Sequence, residues 1–181
     1  MKPLRIVPLL VILMAAAATA AITAPRVSRS LLRSMETSLD DRIGRLWPDN
    51  PLAVVGHTRA VYLEGYGAVF TAELNLASEG ISLMHTTLTP QDKALVQKKK
   101  IERVPQLKKA MSEALVDTAA SLDPLPANEQ VVIEVILDRY GWEENVPYPA
   151  EMIFQGSRQS LLNVKKTGGA GMNEAVRITE H

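Results

Sequence analysis

Two stretches of the chain have the three-to-four spacing of apolar residues that is typical of amphipathic helices. The first covers residues 27–46, where arginine, serine and acidic side chains separate the apolar ones. The second runs from Thr89 to residue 122. Thr89 predicts an N-cap, and Pro90 follows at the position where a missing N–H costs no hydrogen bond. Pro105 lies within this pattern and predicts either a kink or two abutting helices.

Alternating or continuous apolar runs predict strands between and after these helices. The predicted strands cover residues 53–76, 131–137 and 151–155. Residues 131–137 are apolar on both faces apart from one glutamate, which is typical of a strand inside a sheet that helices cover. A brief helix is predicted at residues 158–165. The last residues predict either a disordered tail or a late edge strand at residues 175–179.

Two glycines interrupt the first strand pattern, in the sequence Gly65-Tyr66-Gly67. Before them the apolar residues Val61 and Leu63 occupy odd positions. After them Ala68 and Phe70 begin an apolar series at even positions. The apolar face therefore changes phase at the glycines, and this change predicts a structural turn or bulge there. A β-bulge and a hairpin loop of about three residues are the two alternatives.

Taken together, these patterns predict an α+β fold. We expect a small antiparallel or mixed sheet of about four strands, packed against one long, Pro-kinked helix and preceded by the N-terminal amphipathic helix. The predicted organisation assigns residues 25–52 to this helix and a linker, and residues 53–166 to a single α+β domain. Residues 167–181 are predicted to form a flexible C-terminal tail.

The N-terminus has the pattern of a secretory signal. A positively charged start precedes the apolar residues 6–14, and Ala18-Thr19-Ala20 matches the small-x-small cleavage motif. Residues 1–20 are therefore predicted to be a signal peptide, with Ala21 as the new N-terminus. Residues 6–24 also form an uncharged stretch long enough to cross a bilayer, so an uncleaved anchor is the alternative.

Either outcome predicts that most of the chain is exported. We expect a periplasmic or extracellular location, with attachment to the inner membrane if the N-terminal segment is retained. Contact with a membrane is expected only through that segment.

Charge and cysteine content narrow the possible functions. The chain has 20 Lys and Arg residues against 20 Asp and Glu residues, so no overall positive field attracts nucleic acid, and no nucleic-acid partner is expected. The chain has no cysteine, which excludes disulfides, thiol nucleophiles and the acylated cysteine of a lipoprotein. An exported domain of this composition depends on its hydrophobic core for stability.

No motif for catalysis or cofactor binding is complete. Gly65 and Gly67 lack the third glycine and the following helix of a dinucleotide-binding loop, and no serine has the flanking glycines of a nucleophile elbow. Because no histidine pair has helical spacing, we expect no metal and no cofactor. The enzyme alternative is a hydrolase whose site is assembled from His57, Glu64 and Tyr66.

An aromatic loop is the predicted binding surface. Tyr140, Trp142 and Tyr148 lie in a turn-rich stretch, and exposed tyrosine and tryptophan anchor partners at low entropic cost. The preferred interpretation is a non-enzymatic binding or assembly module of the cell envelope, with an unidentified protein or small molecule as partner. The alternatives are the hydrolase and a membrane-tethered periplasmic domain.

Overall fold

A computed structural model of the chain describes residues 27–49, 54–77, 88–143 and 145–181. The predicted signal peptide and the alternative anchor lie outside these residues. In chain order, the elements are α1 (Arg29–Leu46), β1 (Arg59–Leu63), β2 (Gly67–Leu74), α2 (Pro90–Ser121), β3 (Gln130–Leu137), β4 (Glu151–Ser157), α3 (Arg158–Lys166), α4 (Met172–Ala175) and β5 (Arg177–Glu180).

The strands form one mixed sheet in the order β1-β2-β3-β4-β5. Strands β2 and β3 are parallel, and α2 connects them; the other neighbouring pairs are antiparallel. The predicted α+β fold with a small mixed sheet and one long helix is confirmed. Within the described residues the sheet has five strands, where the sequence predicted about four. The additional strand is β5, so of the two alternatives for the C-terminal residues the edge strand is the one observed.

One hydrophobic core lies between the helices and one face of the sheet. Alternate residues of β2, β3 and β4 are fully buried on that face, as expected for a half-covered sheet. Helix α1 contributes Leu32, Leu39 and Ile43 to this same core. The apolar stripe of α1 is therefore buried against the sheet domain. The predicted division between residues 25–52 and 53–166 stays a prediction.

Helix α2 is continuous over 32 residues. A capping box closes its N-terminus: the Asp92 backbone N–H donates to the Thr89 hydroxyl at 3.2 Å, and the Thr89 N–H donates to the Asp92 carboxylate at 3.0 Å. The helix continues through Pro105, so the alternative of two abutting helices is wrong. Its buried stripe includes Leu107 and Met111, which are inaccessible to solvent.

The glycines join β1 and β2 in a hairpin. The loop consists of residues 64–66, and the Tyr66 N–H donates to the Leu63 carbonyl at 3.0 Å. Gly65 has a φ of 80°, which favours glycine. A side chain at Gly67 would overlap the backbone of Gln130 at the start of β3. The hairpin alternative is therefore the one observed, and both glycines are required by its geometry.

The apolar phase change predicted at the hairpin does not occur. The register pairs Ala60 with Phe70 and Tyr62 with Ala68, so even-numbered residues face the core in both strands. The side chains of Val61 and Leu63 lie on the opposite, open face of the sheet and are about half exposed. Their apolar character therefore does not come from burial in the core of the domain.

Candidate functional site: the β1 groove

Side chains of α1 cap the outer edge of β1. The Asp40 carboxylate accepts a hydrogen bond from the Thr58 backbone N–H at 3.0 Å. The Glu36 carboxylate accepts one from the Ala60 N–H at 2.8 Å, and the Arg29 guanidinium donates to the Ala60 carbonyl at 2.6 Å. An edge strand exposes unpaired backbone groups that invite pairing with other chains. Here three of these groups are satisfied within the molecule.

Tyr62 is the next residue along this edge, and its backbone is uncapped. In an antiparallel ladder alternate residues direct their N–H and C=O groups to the same side, so Tyr62 points outward as Ala60 does. Neither group has a hydrogen-bond partner within the part of the chain that the structure describes. The protected edge is therefore open at one residue.

A groove lies beside this opening, between β1 and the N-terminal end of α1. Its volume is about 370 Å³. Val27 and Leu32 form its helix side, and Val61, Tyr62 and Glu64 form much of its strand side. We call this space the β1 groove. It combines apolar walls, two unbonded backbone groups and an acidic residue in the hairpin loop.

A buried acidic side chain lies behind the groove. Glu129, immediately before β3, is 6% exposed. Its Oε1 accepts hydrogen bonds from the Tyr62 hydroxyl at 3.3 Å and from the Gly65 backbone N–H at 3.2 Å. Its Oε2 is buried and has no hydrogen-bond partner among the described residues. Because an unsatisfied buried polar atom costs on the order of 1–3 kcal/mol, this oxygen calls for an explanation.

The electrostatics of the groove are negative around Tyr62. Burial raises the pKa of the Tyr62 hydroxyl, and the hydrogen bond to Glu129 and the charges of Glu129 and Glu64 raise it further. The hydroxyl therefore stays protonated at neutral pH and continues to donate to Glu129. A positive group that entered the groove would meet Glu64 in its lining, with the charge of Glu129 behind the Tyr62 ring.

A second buried charged cluster lies at the opposite ends of β2 and β3, and we call it the Lys100 cluster. The Lys100 ammonium is 2.6 Å from Glu143 Oε2 and donates to the Asp138 carbonyl at 3.2 Å. Glu143 also accepts hydrogen bonds from the Tyr148 hydroxyl at 3.0 Å and from the Tyr140 backbone N–H at 2.8 Å. The Lys100 Nζ lies 4.3 Å from the centroid of the Tyr140 ring. Both carboxylate oxygens have partners, so this cluster holds the β3–β4 loop against α2.

The predicted aromatic binding surface is in part a component of the Lys100 cluster. Tyr148 is buried, and this burial, with the charge and hydrogen bond of Glu143, raises the pKa of its hydroxyl. The expectation of an exposed Tyr148 is therefore corrected. Tyr140 and Trp142 are half-buried and stack with ring centroids 5.6 Å apart. Binding of a partner by Tyr140 and Trp142 stays a prediction.

The residues of the predicted hydrolase site are not brought together. His57 precedes β1, whereas Glu64 and Tyr66 follow it in the hairpin loop. The five residues of β1 separate them by roughly 16 Å, at about 3.3 Å per residue. The His57 side chain is 82% exposed, and its Nδ1 is 3.5 Å from Asp40. This arrangement does not place the imidazole within hydrogen-bond reach of Glu64 or Tyr66.

Sequence reasoning missed Glu129, Tyr62 and the capping role of α1. One signal was present in the sequence. Val61 and Leu63 alternate with the core-facing residues of β1, so they are apolar residues that lie outside the core. Glu129 had no comparable signal, because its contacts with Tyr62 and Gly65 come from a segment more than sixty residues away.

No protein-family model, curated protein or solved structure matches this chain. Within residues 27–49, 54–77, 88–143 and 145–181, no helix combines the length and the apolar character needed to cross a bilayer.

Proposed function

We propose that this chain is an exported, non-enzymatic binding module of the cell envelope, and that its β1 groove receives an extended polypeptide segment. Such a segment would add as a strand beside β1 and hydrogen-bond the backbone of Tyr62. Val61 and Leu63 would contact its side chains. The observation that carries the proposal is the unbonded backbone of Tyr62 on an edge that α1 side chains otherwise close.

The pattern of edge protection favours a specific contact over uncontrolled strand pairing. Asp40, Glu36 and Arg29 satisfy the edge up to Ala60 and leave Tyr62 accessible. A segment can therefore pair only over a short length and in one position, which limits edge-to-edge aggregation. The groove supplies apolar walls at that position.

The opposite edge of the sheet is protected in a different way. Strand β5 has four residues, and charged side chains occupy both of its ends. Arg177 donates to the Gln155 side chain at 2.7 Å, and Glu180 pairs with Lys108 at 2.7 Å. We therefore assign binding to β1.

Export is the second part of the proposal, and it rests on the sequence of residues 1–24. Mass spectrometry of the protein purified from its native envelope identifies the N-terminus. A mass that begins at Ala21 supports a cleaved, secreted form, and one that begins at Met1 in the membrane fraction supports the membrane-tethered periplasmic form. Recovery of the protein with Met1 in the cytoplasmic fraction would contradict export.

The binding test uses four fluorescent octapeptides on one frame of alternating valine and threonine. They differ in one central residue, which is threonine, lysine, leucine or glutamate. Saturable binding of at least one peptide, measured by fluorescence anisotropy, is the expected result. Replacement of the groove residue by lysine, Val61→Lys, is expected to weaken that binding about tenfold or more, since a tenfold change equals about 1.4 kcal/mol.

A matched variant on the other edge controls for general effects of added charge. Ile178 of β5 is 38% exposed, and Val61 of β1 is 48% exposed. Ile178→Lys is expected to leave peptide affinity unchanged. Absence of saturable binding by all four peptides would contradict the proposed function, and so would equal losses in the two lysine variants.

A further inference from the structure

The unpartnered oxygen of Glu129 indicates what kind of segment the β1 groove accepts. Glu129 is more than nine-tenths buried, and only one of its two carboxylate oxygens has hydrogen-bond donors within the described residues. A buried acidic oxygen without a donor is rare in folded proteins, and such atoms are commonly completed by a water, an ion or a ligand.

The position of Glu129 connects it to the groove. The Tyr62 side chain extends from the groove wall to Glu129, and its hydroxyl donates to Oε1 at 3.3 Å. The N–H of Gly65, the neighbour of the groove residue Glu64, donates to the same oxygen at 3.2 Å. The Tyr62 side chain therefore connects the groove wall to the Glu129 carboxyl group.

Among the described residues that line the groove, no free cation neutralises these acids. Arg29 is the basic residue in its lining, and its guanidinium is 3.0 Å from Glu36 while it also caps the Ala60 carbonyl. Glu64 and Glu129 both act on Tyr62 as negative charges. The hairpin end of the groove is therefore acidic.

We propose that the β1 groove selects extended segments that carry a lysine or arginine side chain, and that this cation pairs with Glu129 and Glu64. The inference rests on the proposed function and adds the chemistry of its ligand. An ammonium or guanidinium group supplies the N–H donors that Glu129 Oε2 lacks. The described residues bring no group of three or more metal-binding side chains together, whereas two carboxylates are sufficient for an organic cation.

The four octapeptides defined above test this selectivity. The lysine-centred peptide is expected to bind at least about tenfold more tightly than the threonine-centred one, and the glutamate-centred peptide more weakly than both. In the Glu129→Gln variant the lysine preference is expected to fall to about twofold or less, while binding of the threonine-centred peptide is retained. Glu174→Gln, at an exposed acid in α4, is expected to keep the full preference.

A second variant and a second signal guard against a folding defect in Glu129→Gln. Glu64→Gln changes an exposed hairpin residue and is expected to reduce the lysine preference by a smaller factor. Bound cation should also lower the pKa of Tyr62, which is measured by ultraviolet titration of tyrosinate with and without the lysine-centred peptide.

The outcomes separate the inference from the function on which it rests. If the threonine- and lysine-centred peptides bind equally, or if Glu129→Gln and Glu64→Gln both keep the preference, the cation assignment is overturned and the groove remains a binding site. If no peptide binds, the proposed function itself fails. A preference for the glutamate-centred peptide would also overturn the assignment.

Discussion

Glu143 and Glu129 are both buried glutamates at the ends of the same sheet, and they differ in how completely their carboxylate oxygens are hydrogen-bonded. Both oxygens of Glu143 have partners: Lys100, the Tyr148 hydroxyl and the Tyr140 backbone N–H. Glu129 has donors on Oε1 alone. A buried acid whose hydrogen bonds are complete acts as a structural connection. A buried acid with an incomplete set has capacity for a further group.

The two sites also differ in what lies beside them. Glu143 belongs to a loop that Lys100 holds against α2, with the Tyr140 ring next to the ammonium group. Glu129 lies behind the β1 groove, next to a strand edge that is open at Tyr62. We therefore expect substitutions in the Lys100 cluster to change stability, and substitutions around Glu129 to change binding.

The largest expected effect comes from Lys100→Met. Removal of the ammonium leaves the buried Glu143 carboxylate without its counter-charge, and such unpaired buried charges cost about 3–5 kcal/mol. The free energy of unfolding, measured by urea titration, should fall by about this amount. The double variant Lys100→Met with Glu143→Gln should recover much of the loss. No recovery in the double variant would show that packing of the lysine stem, rather than its charge, is what matters.

A smaller loss is expected from Tyr148→Phe. The substitution removes a buried hydroxyl that donates to Glu143 at 3.0 Å, and a hydrogen bond to a charged group contributes about 1.5–3 kcal/mol. Urea titration should show a loss in this range with an unchanged dependence on denaturant. Peptide binding should be unaffected, because Tyr148 is distant from the β1 groove. Loss of peptide binding in folded Tyr148→Phe would return the aromatic loop to consideration as the binding surface.

Glu129→Gln is expected to change the free energy of unfolding only slightly. Any change should be an increase, in contrast to the losses expected from Lys100→Met and Tyr148→Phe. The amide retains an acceptor for Tyr62 and Gly65, while the penalty for an unsatisfied carboxylate oxygen is reduced. The free energy of unfolding should stay within about 1 kcal/mol of the parent protein or rise slightly. A loss of more than about 3 kcal/mol would mean that Glu129 is as much a structural residue as Glu143.

The smallest expected effect is that of Asp117→Asn on the loss of stability at low pH. Burial acts to raise the pKa of Asp117, but the hydrogen bond from Lys165 and the charge of Arg42 outweigh it, and the pKa lies below the usual 3.8. A lowered native pKa contributes stability that is present above the unfolded value and is lost as the pH falls through the native value. Asp117→Asn should therefore reduce stability at neutral pH modestly and flatten the decline below about pH 4, as followed by thermal unfolding. An unchanged acid decline would contradict this assignment.

The fold could be predicted from local patterns where those patterns reflect burial. Three predicted features correspond to observed elements: the apolar stripe of α2, its Thr89 N-cap and the apolar run of β3. Burial requires apolar residues at regular spacing, and capping requires particular residue types at the helix start. The hairpin was one of two predicted alternatives at Gly65 and Gly67. Strand β5 left a weak signal, since its four residues are all exposed and are held by pairing with β4.

The candidate site could not be predicted, for a physical reason. It is formed where α1, β1 and the residue before β3 come into contact. These segments are far apart in the sequence, so no local pattern predicts their contact. Val61 and Leu63 were assigned to the wrong face of the strand for a similar reason. Apolar residues on an open sheet face cannot be distinguished from core residues until the strand register is known. The pairing of Ala60 with Phe70 decides which face is buried.

Amide hydrogen exchange at two neighbouring positions of β1 tests the central claim most directly. The Ala60 N–H is bonded to Glu36, whereas the Tyr62 N–H has no partner in the described structure. We predict that Tyr62 exchanges rapidly and Ala60 slowly in the unliganded protein, and that the lysine-centred octapeptide slows Tyr62 selectively. A Tyr62 amide that is protected before peptide is added, or that exchanges equally fast with peptide bound, would contradict strand addition at the β1 groove.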